Sequence, residues 1–227
     1  MEMTPLSSQM NIRGECGRKR LFASSGLEAI TGRIVGSIER ILFTVLDEAR
    51  AVTVEEYVFS LFPSFALQYC LRRKSVVSNE VSYLSHFKAD DFEKVVIVGG
   101  GPTPFTALHW ANIYPGPIVV LDKNGLAKIF SQKLVKRLGI KNIEILNLSG
   151  EDYQDYKNCI VSISLYAQNK EMIVRRVLEN KEGNNLIFLR AFAHEEYNAL
   201  GMEWEVIEQK SDFRTLVLGP NRSPAIK

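Results

Sequence analysis

The 227-residue sequence contains little of what disulfide-bonded, metal-binding or membrane-spanning proteins require. Its three cysteines, Cys16, Cys70 and Cys159, are widely spaced and form no Cys-x-x-Cys pair, and its three histidines are scattered. This pattern argues against a disulfide framework and a zinc site, so we expect reduced thiols and no protein-bound metal. No apolar run reaches the roughly 18 residues of a membrane span, and no secretory signal is evident. We therefore expect a cytoplasmic protein with no membrane partner.

The sequence also lacks an excess of charge of one sign. It has 28 basic and 26 acidic residues, for a formal net charge of +2. A balance so close to neutral provides no general attraction to nucleic acid. The basic residues Arg13, Arg18, Lys19 and Arg20 fall in residues 1–24, which we interpret as a flexible leader. We expect no nucleic-acid partner.

Residues 25–90 are predicted to form an N-terminal helical segment. Between Leu27 and Leu46 aliphatic residues recur three and four positions apart, which is typical of one face of a long amphipathic helix. Thr53 and Glu56 have the spacing of a capping box that opens a second helix. The stripe on the first helix would suit packing within one chain or across a homodimer.

Residues 91–227 show the alternation of strands and helices that is typical of an α/β domain. Short β-branched or aliphatic runs predict strands at residues 94–98, 118–121, 143–146, 158–165, 185–189, 204–208 and 213–218. Helical patterns follow the first, second and fourth of these strands, and the last two strands follow each other directly. This order predicts a doubly wound, mostly parallel, Rossmann-like sheet that ends in a hairpin.

A glycine-rich turn follows the first predicted strand. Three glycines there allow positive φ angles and a close approach of the backbone to a ligand. The turn lacks the G-x-G-x-x-G pattern of dinucleotide sites, which disfavours pyrophosphate. The second strand ends at Asp122, where an acid can accept both hydroxyls of a ribose. The turn and Asp122 together predict an adenosine-binding site at the carboxyl ends of the strands.

The segment from Val98 to Thr106, V-G-G-G-P-T-P-F-T, resembles the G-x-G-P-x-P-x-T turn of nicotianamine synthases. Weaker similarities over residues 58–220 are Phe62-Pro63, Asn79-Glu80, and Leu189-Arg190 with His194. The resemblance implies the class I fold of S-adenosylmethionine-dependent methyltransferases, with S-adenosylmethionine as co-substrate. It also implies transfer of the 3-amino-3-carboxypropyl group to a small amine or amino acid, giving a nicotianamine-like metal chelator.

The sequence departs from this family at two points. The family places a tyrosine shortly after the proline of its aromatic-Pro element, where this chain has Phe65 and, further along, Tyr69. The family also has a catalytic acid whose counterpart in this chain is not unique, because Glu55, Glu56 and Glu80 are all candidates.

Three groups of residues are predicted to form the site. An amine nucleophile must lose a proton before it attacks, so a carboxylate or phenol should lie nearby; we favour Glu80, with Tyr69 and Tyr166 orienting the substrate. Arg190, at the end of the fifth strand, could bind a substrate carboxylate. His194 is predicted to lie at the rim of the ligand-binding cleft. The predicted cofactor-binding residues lie on the turns after the strands: Gly99, Gly100, Gly101, Pro102, Thr103, Pro104, Asp122, Lys123, Asn147, Ser149 and Ser164.

Two other functions fit the same fold, because fold does not determine function. One is methylation of a small molecule. The other is a non-catalytic module whose first helix contacts a partner. A nucleic-acid amino-methyltransferase is disfavoured, because Ser164-Leu165-Tyr166 stands where such enzymes often carry a [DN]PP[YF] motif.

Overall fold

The computed structural model describes residues 27–88, 91–179, 184–195, 203–210 and 212–219. The predicted leader, residues 1–24, lies outside them. The N-terminal part contains α1 (Leu27–Val45), α2 (Glu48–Ser60), α3 (Pro63–Arg72) and α4 (Lys74–Tyr83), followed by a 3₁₀ turn (Leu84–His86). Val35 on α1 is fully buried and packs with Phe59 and Tyr69 from α2 and α3. The first helix therefore packs within the chain along at least this part of its aliphatic stripe.

Helix α2 begins earlier than the sequence predicted. The side chain of Asp47 caps it by accepting a hydrogen bond of 3.0 Å from the backbone N–H of Arg50. Thr53 lies inside the helix, so the predicted capping box with Glu56 was wrong. Pro63 occupies the first turn of α3, where its missing N–H is tolerated.

The rest of the described chain is an α/β unit built on one seven-stranded sheet. Its elements are β1 (Lys94–Val98), α5 (Phe105–Ala111), β2 (Ile118–Leu121), α6 (Gly125–Arg137), β3 (Ile143–Leu146), β4 (Cys159–Ile163), α7 (Lys170–Glu179), β5 (Leu186–Phe192), β6 (Glu205–Gln209) and β7 (Phe213–Leu218). The strand order is β3-β2-β1-β4-β5-β7-β6. Strands β1 to β5 pair in parallel, whereas β7 is antiparallel to both β5 and β6. The predicted doubly wound, mostly parallel sheet is confirmed.

Both faces of the sheet are covered by apolar side chains. Val95 and Ile97 point into a core that includes Trp110 of α5 and Leu134 of α6. Val96 and Val98 point to the opposite face, where Ile173, Val174 and Val177 of α7 cover them. Since β1 pairs with β2 on one side and β4 on the other, the connection reverses direction there, and a crevice opens at the carboxyl ends of these strands. In the described part of the chain, no helix combines the length and apolar character needed to cross a membrane.

Candidate active site

A cleft of about 440 Å³ lies at this crevice. The carboxyl ends of β1, β2 and β4 form its floor, and residues of α2 and α3 form the opposite wall. The helical segment thus covers the end of the sheet where ligands bind in open α/β folds.

The glycine turn requires glycine at each of its three positions. Gly99 and Gly101 have φ angles of +81° and +65°, which side chains rarely permit. A Cβ atom on Gly99 would lie 2.5 Å from Oγ of Ser164, and one on Gly101 would lie 2.2 Å from Oε2 of Glu56. A Cβ atom on Gly100 would lie 2.2 Å from a methyl group of Val120. The turn is therefore packed against the sheet on one side and against a carboxylate on the other.

Asp122 is tied to this turn by backbone hydrogen bonds. Its carboxylate accepts from the N–H of Gly101 at 2.7 Å and from the N–H of Asn124 at 2.8 Å. A carboxylate can accept about four hydrogen bonds, so acceptor positions remain for a ligand in the cleft.

The other predicted cofactor-binding residues divide into two groups. Pro102, Lys123, Ser149 and Ser164 line the cleft with the glycines and Asp122. Three others support its wall: Thr103 donates to the backbone oxygen of Glu56 at 2.7 Å, Pro104 precedes α5, and Asn147 donates to the backbone oxygen of Asp122 at 3.0 Å.

Glu56 and Tyr69 form a hydrogen-bonded pair in the cleft. The Tyr69 hydroxyl donates to Oε1 of Glu56 at 3.2 Å, and the other carboxylate oxygen lies over Gly101. Burial raises the pKa of Glu56 to about 8, and the hydrogen bond from Tyr69 opposes that shift. A carboxylate with a pKa near neutrality can accept a proton and release it again.

Glu80 does not line the cleft, which corrects the prediction that it accepts the proton of the amine nucleophile. Its side chain is fully buried and pairs with the guanidinium of Arg190, with Nη2 and Oε1 2.7 Å apart. The Ser162 hydroxyl also donates to it, at 3.1 Å. A charged Arg190 in the core needs a buried counterion, and α4 places Glu80 to supply it.

Arg190 reaches the edge of the cleft, but its guanidinium is already bonded. Besides Glu80, it donates to the hydroxyl of Thr106 at 3.1 Å. Thr106 lies in the first turn of α5, which begins at Phe105 and has no side-chain cap. Arg190 is only 2% exposed, so the predicted contact with a substrate carboxylate would require it to leave these partners.

The remaining predicted residues lie beyond β4 and β5. Tyr166 lines the cleft and packs edge-on against Phe192, with ring centroids 5.7 Å apart. His194 is exposed and stacks on Phe192, with ring centroids 5.6 Å apart. His194 is not part of the cleft lining in the described structure.

Sequence reasoning left Glu56 as one of three acids and missed Arg73. Arg73 also lines the cleft, with its guanidinium carbon 5.3 Å from the centroid of the Tyr69 ring. It stands in the break between α3 and α4, a position that no motif in the sequence marks. Among the described residues, no group of three or more His, Cys, Asp or Glu side chains could hold a metal ion.

Comparisons with known proteins place this geometry in a structural context. No protein-family model and no curated protein matches the sequence. Among solved structures, MtNAS, a nicotianamine synthase, in complex with methylthioadenosine ("MTA") and "tNA" aligns with a TM-score of 0.54 and 12% identity, over 85% of this chain and 73% of that chain. A glutamate-to-glutamine mutant of MtNAS in complex with S-adenosylmethionine gives 0.53 and 13%, over 84% and 74%. A "SAM dependent methyltransferase" from Aquifex aeolicus gives 0.52 and 14%, over 69% and 97%.

Sequence identities this low establish the architecture and not the reaction. The strand order, the crevice at the β1–β4 boundary and these alignments agree on one assignment. The chain has the α/β class I fold of S-adenosylmethionine-dependent methyltransferases.

Proposed function

We propose that this chain is an S-adenosylmethionine-dependent transferase that moves the 3-amino-3-carboxypropyl group to a small amine or amino acid, yielding a nicotianamine-like chelator. The observation that carries this proposal is the Glu56–Tyr69 pair, whose carboxylate lies over Gly101 in the cleft. Any chelated metal would belong to the product.

The cleft fits the co-substrate in its donors, acceptors and space. The glycine turn leaves no room for a side chain, as close approach of a ligand requires. Asp122 offers carboxylate lone pairs for ribose hydroxyls, and Ser149 lies on the turn after β3, where the adenine would extend. These residues belong to the chain's own loops at the carboxyl ends of three adjacent parallel strands.

Glu56 would accept the proton of the acceptor amine. When bound, S-adenosylmethionine supplies carbons already activated by its sulfonium. An acceptor amine is protonated near neutral pH and cannot attack until it loses a proton. Glu56, with a pKa near 8, is matched to that transfer, and Tyr69 holds one of its oxygens.

Two similarities favour aminocarboxypropyl transfer over methyl transfer. The turn from Val98 to Thr106 resembles the nicotianamine synthase turn, and two MtNAS complexes are among the solved structures that align over more than four fifths of this chain. Those MtNAS complexes contain S-adenosylmethionine in one case and methylthioadenosine in the other. The second candidate is methylation of a small molecule, which the similar TM-score of the Aquifex aeolicus methyltransferase favours.

The nucleoside by-product distinguishes the two reactions. The purified chain would be incubated with S-adenosylmethionine and a pool of amino acids and amines, and the nucleosides separated by chromatography. Methylthioadenosine above the protein-free control supports aminocarboxypropyl transfer, whereas S-adenosylhomocysteine contradicts it and supports methyl transfer. Tyr69→Phe should slow the reaction. Tyr83→Phe, whose hydroxyl contacts Glu205 outside the cleft, is the matched control.

A further inference from the structure

Arg73 lines the cleft beside the Glu56–Tyr69 pair. Its guanidinium lies over the Tyr69 ring, and its side chain is 36% exposed. The Glu56 carboxylate lies next to the glycine turn, and the Tyr69 hydroxyl donates a hydrogen bond to it. The wall of the cleft therefore carries a carboxylate, a phenol and a guanidinium, each next to the one before it. A ligand in the cleft therefore meets a proton acceptor and a permanent positive charge on the same wall.

The guanidinium donors of Arg73 are not used within the described structure. Its nearest charged partner is Glu55, 3.6 Å away, which is beyond hydrogen-bonding distance. Over the described ranges, its N–H groups make no hydrogen bond to another residue. Arginine carries five such donors in a planar fork that matches a carboxylate. Arg190, by contrast, bonds to Glu80, Thr106 and Ser162.

Glu55 offsets the charge of Arg73 only in part. Its side chain is fully buried, and in the described residues no N–H or O–H group donates a hydrogen bond to its oxygens. Burial, followed by the neighbouring Glu39, raises the pKa of Glu55 to about 8. This shift weakens the pairing of Glu55 with Arg73 and leaves more of the Arg73 charge for a ligand.

We infer that Arg73 forms a carboxylate-binding subsite that holds the amino-acid portion of a ligand beside Glu56 and Tyr69. This inference rests on the proposed function and specifies its substrate class. An α-amino acid carries a carboxylate next to its amino group, so both ends would find a partner on this wall. Two ligands of the proposed reaction carry such a carboxylate. One is the methionine portion of S-adenosylmethionine, and the other is an amino-acid acceptor.

Calorimetry on the full chain separates these two sources of the carboxylate. The first arm compares binding of S-adenosylmethionine with that of its decarboxylated form, which keeps the sulfonium and the amino group. The second arm loads the protein with methylthioadenosine and compares L-alanine and L-phenylalanine with ethylamine and phenethylamine. Both arms use the wild type, Arg73→Gln and Arg73→Lys. Arg72→Gln is the matched control, because Arg72 pairs with Glu39 and does not line the cleft.

The subsite predicts a selective loss of affinity. Arg73→Gln should weaken binding of the carboxylate-bearing ligand about 10- to 100-fold, the effect of losing hydrogen bonds to a charged group. The same variant should leave the decarboxylated partner nearly unchanged. Arg73→Lys should fall between, because lysine keeps the charge but not the fork. Loss in the first arm assigns the subsite to the co-substrate, and loss in the second assigns it to the acceptor.

Three results would overturn the inference, and they are distinguishable. If the wild type binds S-adenosylmethionine and Arg73→Gln changes neither arm beyond Arg72→Gln, the subsite is absent while the proposed function stands. Equal losses for ligands with and without a carboxylate also contradict it, because they indicate a general structural effect. If the wild type binds neither form of the co-substrate, the proposed function fails, and the subsite fails with it.

Discussion

The carboxylate of Glu56 occupies the space that a side chain on residue 101 would need. The Cβ position of Gly101 lies 2.2 Å from Oε2 of Glu56, at a φ angle of +65°. The helical segment and the glycine turn are therefore fitted to each other at one point, where the proposed proton acceptor meets the proposed cofactor site.

Gly101→Ala should impair both binding and catalysis. The added methyl must displace Glu56 and strain the backbone, so we expect at least a 10-fold loss of S-adenosylmethionine affinity. Isothermal calorimetry measures this loss. Gly139→Ala is the matched control, because Gly139 also has a positive φ, +69°, but has no atom near its Cβ position. Equal affinity in the two variants would contradict the proposed contact.

Glu56→Gln should lower turnover about 10²- to 10⁴-fold, the usual contribution of a general base. A proton acceptor works only when ionised, so kcat/KM of the wild type should rise with pH and level off above about 8, the pKa of Glu56. The variant should lose this rise. Glu144→Gln, on the exposed side of β3, is the control. A pH profile that is the same in Glu56→Gln and the wild type would exclude Glu56 as the base.

Asp122→Asn should weaken S-adenosylmethionine binding about 10- to 100-fold, because hydrogen bonds to a charged oxygen contribute about 1.5–3 kcal/mol. Calorimetry checks this, with Asp155→Asn as the control. Asp155 is exposed and pairs with Lys94 at the opposite end of β1. Unchanged affinity in Asp122→Asn would show that the ribose does not contact this acid.

Glu80→Ala should destabilise the fold without changing the nucleoside by-product. It leaves Arg190 charged and unpaired in the core, which costs about 3–5 kcal/mol. Urea denaturation measures the loss. Glu171→Ala removes an exposed ion pair with Arg175 and should change the free energy of unfolding by less than about 1 kcal/mol. Similar values for the two variants would contradict the structural role of Glu80.

Glu55→Gln should flatten the pH dependence of stability. In the folded chain the pKa of Glu55 is about 8, above its ordinary 4.5, so the folded state holds a proton that the unfolded state has released between these values. The wild type therefore loses stability as pH rises through this interval. Glutamine does not titrate, so the variant should lose less between pH 5 and pH 9. Urea denaturation at these two pH values measures the free energy of unfolding of both proteins. Equal losses in the wild type and the variant would contradict the burial of Glu55.

The sequence predicted the sheet well because buried parallel strands are continuous apolar runs bounded by turn residues. Asp122 was found for the same reason, since it directly follows β2. Charged residues whose roles depend on distant parts of the chain were harder to assign. Glu80 and Arg190 are 110 positions apart, so no local pattern shows that they pair. Glu56 and Arg73 face the cleft because α2 and α3 pack over the sheet, which depends on tertiary contacts.

The strand order constrains how the chain can fold during synthesis. Strand β6 precedes β7 in the sequence but pairs in the sheet only through β7, which lies between it and β5. When β6 has emerged from the ribosome, its place in the sheet does not yet exist. It can join only together with β7 or after it, once residues through Leu218 have emerged. The edge of β5 therefore stays open until β7 has emerged from the ribosome, which makes it an exposed strand edge for chaperones to protect.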